Sequence, residues 1–157
     1  MWDTSAHFST SIDQLKQTIM NRIENVLYTG KVRTTGGREG GARSSDGRLD
    51  IKLSRPGSAA AGTNPEQLFG AAWSACFIGA MGGAARALKV ILPAEASVDA
   101  EIDFGTTDDA YFLGARLNVS LPGLPLDVAQ ALVDRAHQTC PYSKATRGNI
   151  DVEIALI

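Results

Sequence analysis

The segment from Thr63 to Val90 constrains this chain most. Thr63-Asn64-Pro65-Glu66-Gln67 is a helix start. Asn64 or Thr63 can cap, Pro65 fits the first helical position, and Glu66 or Gln67 closes a capping box. The helix then runs through Ala71, Cys76 and Ala80, with a bend or break expected at Gly82-Gly83, and ends near Val90 before Pro93. Its many Gly and Ala residues let a neighbouring backbone approach closely, which suits a central helix packed on more than one side. The apolar stretch inside it, Leu68 to Met81, is 14 residues long. That is too short to cross a bilayer and reads as a buried core helix.

Around this helix the sequence alternates as strands do. Val26, Tyr28 and Val32 mark a strand over 26–35, and Gly36-Gly37-Arg38-Glu39-Gly40-Gly41 then forces a turn. Asp46-Gly47 is a hairpin signal, followed by Leu49, Ile51 and Leu53 in alternation. Residues 55–62 are a loop by composition. Val98 to Phe104 and Tyr111 to Leu121 alternate on either side of a turn at Thr106–Ala110, and Ile150 to Leu156 closes the chain as a strand. A second helix is expected over Leu126–Cys140, with Pro141 ending it. Strands joined mostly by hairpins around a long central helix give an α+β fold with antiparallel strands. Residues 25–157 form a single domain. Residues 1–24 read as an extension, either a short amphipathic helix carried by Ile12, Leu15, Ile19 and Ile23 or disordered chain, and Met20 would itself open a sensible chain.

The charge balance narrows the function. With 15 basic against 17 acidic residues and a pI near 5.6, the chain lacks the basic excess of a nucleic-acid binder. No secretory signal or membrane segment is read, so the cytoplasm is the expected location. Two cysteines and two histidines, His7 and His137, do not make a metal site. No nucleotide-binding or serine-hydrolase motif is present.

The two cysteines, Cys76 and Cys140, lie 64 residues apart. A thiol in the middle of an apolar helix is ordinarily a small inert hydrophobe, because burial raises its pKa. The helix dipole helps little at mid-helix, so a reactive Cys76 needs a nearby cation. Arg38, inside its glycine turn, is either a solvated turn residue or a guanidinium folded inward to a pocket. Arginine suits such a task because its fork can pair a carboxylate and still donate elsewhere. Glu66 is either part of the helix cap or the partner that orients Arg38. Cys140, at a helix end, is either another buried thiol or a resolving cysteine that condenses with a sulfenic acid. Trp73 and Phe77 flank Cys76 as plain core or as the wall of an apolar pocket.

Three segments in combination are specific. TNPEQLFGAAWSACFIGAM (63–81), HQTCPYSKATRGNIDVEIAL (137–156) and VLYTGKVRTTGGREG (26–40) together resemble the organic hydroperoxide resistance protein family, within the superfamily of the osmotically induced protein C. The resemblance covers residues 20–157. It implies an α+β intertwined homodimer and a thiol-dependent peroxidase that reduces organic hydroperoxides to alcohols, recycled by dihydrolipoamide or a lipoylated protein, with no cofactor of its own. Carried over by position, Cys76 matches the peroxidatic cysteine, Cys140 the resolving one, Arg38 the arginine that activates the thiolate, and Glu66 the glutamate that pairs with it. The chain departs from the family pattern in residues 1–19, in Glu39 where Asp is frequent, and in Trp73 where Tyr is often found. The last would narrow a pocket.

Glu66 and Cys76 are ten residues apart, about 15 Å of rise on a straight helix. One arginine hardly bridges both. Either Glu66 precedes the regular helix and folds back, or the site is built between subunits, and the second arrangement is the expectation.

Overall fold

The computed structural model describes residues 22–157. Nearly all of the expected N-terminal extension therefore lies outside the described residues. The elements run β1 (Val32–Thr35), β2 (Gly41–Ser44), β3 (Asp50–Lys52), α1 (Pro65–Leu88), β4 (Ser97–Thr107), β5 (Ala110–Ser120), α2 (Leu126–Thr139), α3 (Pro141–Thr146) and β6 (Asp151–Leu156). They form an α+β fold of two three-stranded sheets, β1-β2-β3 and β4-β5-β6, with α1 as its longest helix.

The cap chemistry of α1 is the chemistry read from the sequence. Asn64 is extended, and its side chain accepts a hydrogen bond from the Gln67 N–H at 2.9 Å, with Pro65 in the first turn. The helix ends at Lys89, whose left-handed backbone (φ 56°) turns its N–H back onto the Ala85 and Arg86 carbonyls. It runs unbroken through Gly82 and Gly83. Trp73, Phe77 and Met81, four residues apart, form its buried stripe against Leu117 and Val119 of β5 and Leu132 and Val133 of α2. Close backbone approach is needed at Gly70, where an added Cβ would sit 3.4 Å from Ile102 and 3.6 Å from Ala100 of β4. At Gly79 it would meet nothing within 4 Å. By length and composition α1 could cross a membrane, yet its bulky stripe is the core of this fold.

Three further expectations change. The strand over 26–35 shrinks to Val32–Thr35, because only those residues find ladder partners, on Ser44 to Gly41. Val26, Leu27 and Tyr28 are exposed. Pro141 does not simply end α2. It opens α3, where its missing N–H costs nothing, while Cys140 before it is driven to an extended backbone (φ −60°, ψ 125°) that kinks one helix into the next. β6 pairs with β5 in parallel, from Gly114↔Asp151 to Val119↔Leu156, because α2 and α3 carry the chain back to the end of the sheet at which β5 began. The long β4–β5 ladder is antiparallel, closed by Asp108 and Asp109, both at positive φ.

The first sheet stands apart. β1, β2 and β3 contact chiefly one another, and every residue of β1 is exposed. A parallel bridge from Leu53 to Thr63 joins this sheet to the entry of α1.

Candidate active site

The kink between α2 and α3 delivers Cys140 to the middle of α1. Its Sγ lies 3.1 Å from the Sγ of Cys76, and both thiols are free. Cys140 is fully buried and Cys76 half-buried. Burial pushes the Cys76 thiol above its ordinary pKa, and the hydrogen bond with Cys140 pushes the same way, whereas the Tyr142 backbone N–H works against both. These neighbours together favour the thiol over the thiolate. It opens on a cleft of about 440 Å³ lined by Gly79, Ala80 and Gly83 of α1 and by Arg135, Thr139 and Pro141.

Just behind the thiols, Trp73 donates its indole N–H to Ser143 Oγ at 3.2 Å. Trp73, Ser143 and Phe77 have no exposed surface. In the single chain Trp73 and Phe77 are therefore core, and neither borders the clefts beside Cys76 or Glu66. Their bulk fills the space between α1, β5 and α2 instead of walling a pocket.

Arg38 occupies a one-turn 3-10 helix, Gly37–Glu39, entered through left-handed Gly36 (φ 71°) and Gly37 (φ 57°). The turn is tight enough that a Cβ on Gly40 would lie 1.8 Å from the Thr35 carbonyl oxygen. From it the guanidinium reaches Glu66 with two hydrogen bonds, Nη1 to Oε2 at 2.9 Å and Nη2 to Oε1 at 2.6 Å. Glu66, in the first turn of α1, also faces the positive end of the helix dipole. The Arg38 hydrogen bond holds the Glu66 carboxyl below its usual range against the opposing effect of burial. The same bond raises Arg38, so both groups stay charged. The guanidinium carbon lies 4.7 Å from the centre of the Phe104 ring. The neighbouring Glu39 pairs with Arg55 at 2.9 Å.

One chain thus builds two pairs, Cys76 with Cys140 and Arg38 with Glu66, at separate points along α1. The chain from Glu66 to Cys76, ten positions apart, is helical throughout, so Glu66 does not fold back, and the rise between them is about 15 Å. Arg38 hydrogen-bonds to Glu66 alone among the described side chains. The pair borders a cavity of about 220 Å³ with Phe69, Ile102, Phe104 and Leu113. Beside it, a larger cleft of about 760 Å³ runs between the start of α1 and β4, and neither cysteine lines it. His137 sits near the end of α2 with Nδ1 buried and without a hydrogen-bond partner among the described residues, and His7 lies outside the described residues. Among the described residues no three His, Cys, Asp or Glu side chains stand together as a metal site.

Sequence reasoning missed Phe104, Ser143 and the Tyr142 N–H. Phe104 carried a signal only as one more apolar residue in an alternating strand. Tyr142 and Ser143 follow Cys140 directly, and that adjacency was their only mark.

The OsmC-like protein family profile matches residues 56–155. The organic hydroperoxide resistance protein of Xanthomonas axonopodis pv. citri is 50% identical over 137 residues, spanning 85% of this chain and 96% of the relative. The crystal structure of the organic hydroperoxide resistance protein OhrB of Bacillus subtilis superposes with a TM-score of 0.77 at 41% identity, covering 84% of this chain and all of that one. An organic hydroperoxide resistance protein from Legionella pneumophila superposes at 0.78 with 38% identity, covering 84% of this chain and 98% of that one.

Proposed function

This chain belongs to the organic hydroperoxide resistance proteins of the OsmC-like family, and on that premise we propose that it is a thiol-dependent peroxidase acting on organic hydroperoxides. The observation that carries the reading is the 3.1 Å approach of the two thiols from residues 64 apart. Chance burial of two cysteines does not require such an approach, whereas disulfide chemistry does.

The Cys76 thiolate attacks the distal oxygen of the hydroperoxide. The O–O bond breaks, the alkoxide leaves and takes a proton to become the alcohol, and Cys76 becomes a sulfenic acid. Cys140 then attacks the Cys76 sulfur, forming the disulfide and releasing water. A dithiol such as dihydrolipoamide, free or on a lipoylated protein, reopens the disulfide by exchange and is itself oxidised. The apolar floor of the cleft beside Cys76 favours alkyl, aryl or fatty-acid hydroperoxides over hydrogen peroxide. The reading assigns the protein to the cytoplasm, where thiols are kept reduced.

Arg38, oriented by Glu66, supplies the positive charge that activates Cys76; Arg135 borders the same cleft but does not figure among the groups that shift the Cys76 thiol. Because that pair sits about three helical turns from Cys76 on the same chain, the active protein is a homodimer in which the Arg38–Glu66 pair of one subunit serves the Cys76 of the other. The exposed strand β1 and the exposed Val26, Leu27 and Tyr28 are the surface that a second copy covers.

The test is peroxide consumption by the purified protein with tert-butyl hydroperoxide and dihydrolipoamide, beside hydrogen peroxide and a Cys76→Ser control. Turnover lost in the control supports the enzyme. A disulfide without turnover reassigns the thiols to sensing, and the absence of both turnover and disulfide overturns the reading. For the shared site, inactive Cys76→Ser and Arg38→Ala chains are unfolded together and refolded. Mixed dimers regain one working site only if Arg38 acts across the interface.

A further inference from the structure

Resting on the peroxidase reading, we propose that Phe104 is a positioning residue for Arg38, its ring backed by Tyr111 and holding the flat face of the guanidinium while Glu66 holds its edge. Glu66 grips Arg38 end-on, through Nη1 and Nη2. An end-on fork is a hinge: the guanidinium plane can swing about the line of the two carboxylate oxygens. Arg38 gets little help from its own backbone, since its turn is entered through two left-handed glycines. The Phe104 ring, 4.7 Å below the guanidinium carbon, blocks that swing and favours the charged group through its π face.

The ring is itself held. Phe104 and Tyr111 stack with centroids 5.1 Å apart and planes 12° from parallel. In the β4–β5 ladder Phe104 faces Leu113 and Tyr111 faces Thr106, so the two rings are diagonal neighbours on one face. Both stay substantially open to solvent, 48% for Phe104 and 72% for Tyr111. Core burial therefore does not account for their arrangement. Two of the five Arg38 N–H groups are spent on Glu66. The Nε–H and the outer hydrogens of Nη1 and Nη2 remain, all in the guanidinium plane. Fixing that plane fixes where those donors point, and they are the ones left for a thiolate and a peroxide.

The experiment compares the full-length wild type with Phe104→Leu and Phe104→Tyr. Nitrogen-15 arginine NMR reads the contact directly. Arg38 Nε–H should carry a ring-current shift in the wild type, lose it in the Leu variant and keep it in the Tyr variant. Rapid mixing then reads the consequence. Oxidation of Cys76 by tert-butyl hydroperoxide should slow about two- to fivefold in Phe104→Leu, the worth of a cation–π contact at an exposed site. It should recover in Phe104→Tyr, while reduction of the disulfide by dihydrolipoamide is unchanged in both. An Arg38 signal indifferent to Phe104→Leu overturns the proposal. So does a shifted signal with an unchanged oxidation rate, or an equal slowing of both half-reactions, which marks general damage to the fold. A wild type that does not react with peroxide overturns the peroxidase reading instead, and the NMR result still decides whether Phe104 fixes Arg38.

Discussion

Replacing Ser143 with Ala should destabilise the protein by about 2 kcal/mol, within the roughly 1–3 kcal/mol range for a buried polar group left without its partner. The Trp73 indole N–H has Ser143 Oγ as its partner at 3.2 Å, and neither side chain has any solvent-exposed surface. Truncation removes the acceptor and leaves no room for water to replace it, so the indole pays the full desolvation penalty. For a chain of this size that corresponds to a fall in melting temperature of roughly 4–8 °C. Urea unfolding of the reduced protein, at one fixed protein concentration because assembly shifts apparent stability, gives the value. The decisive comparison is the same truncation in a Trp73→Phe background. There no donor is left unpaired, and Ser143→Ala should cost less than about 0.5 kcal/mol. Equal costs in the two backgrounds would refute the hydrogen-bond argument and reduce Ser143 to a packing residue.

Cys140→Ser should let one peroxide oxidise Cys76 but stop the cycle at the sulfenic acid, which mass spectrometry detects as a dimedone adduct absent from the cycling wild type. Gly40→Ala should cost more than about 1 kcal/mol in thermal unfolding and lower peroxide reactivity with it, because the new Cβ would lie 1.8 Å from the Thr35 carbonyl oxygen, a backbone atom that moves only if the turn does; a variant with wild-type melting and rate would contradict the turn geometry. For Glu66→Gln the pH dependence has a definite sign. Arg38 holds the Glu66 pKa below its ordinary 4.5, so the wild type's stability advantage is fully present above that value and is lost as pH falls through the lower, folded-state pKa. Paired urea titrations between pH 7 and pH 3 should converge toward acid, and parallel curves would deny the ion pair.

What was legible in the sequence was what local chemistry determines. Asn64, Pro65 and Gln67 mark the start of α1 because a cap is satisfied within four residues. The β4–β5 hairpin was readable because alternation on both arms brackets a turn. Pro141 was ambiguous, since proline both ends helices and begins them, and only the space on the far side of Cys140 decides. Strand direction was hidden as well. β6 runs parallel to β5 because of where the crossover through α2 and α3 delivers it, and no window of a few residues holds that information. Arg38 and Glu66 lie 28 positions apart; the residues alone offered their pairing only as an alternative to a helix cap, and the resemblance singled it out. Phe104 went unread because alternation reports which face a side chain takes, not which charge comes to rest on it.

The detached first sheet has a consequence for how the chemistry responds to its surroundings. Three strands of three or four residues do not hold together unaided, and their ties to the body include the Leu53–Thr63 bridge with its flanking backbone bonds, the grip of Arg38 on Glu66 and the contact of its guanidinium with Phe104. The arginine proposed for thiol activation therefore rides on a unit with few ties to the body, the kind of unit that opens locally ahead of a global transition. Each such excursion withdraws the guanidinium while the sulfurs remain enclosed in an intact core. On the proposed reading, mild heat or denaturant should silence the thiols before the helices melt, and dilution should do the same where the proposed second subunit is what clasps the sheet.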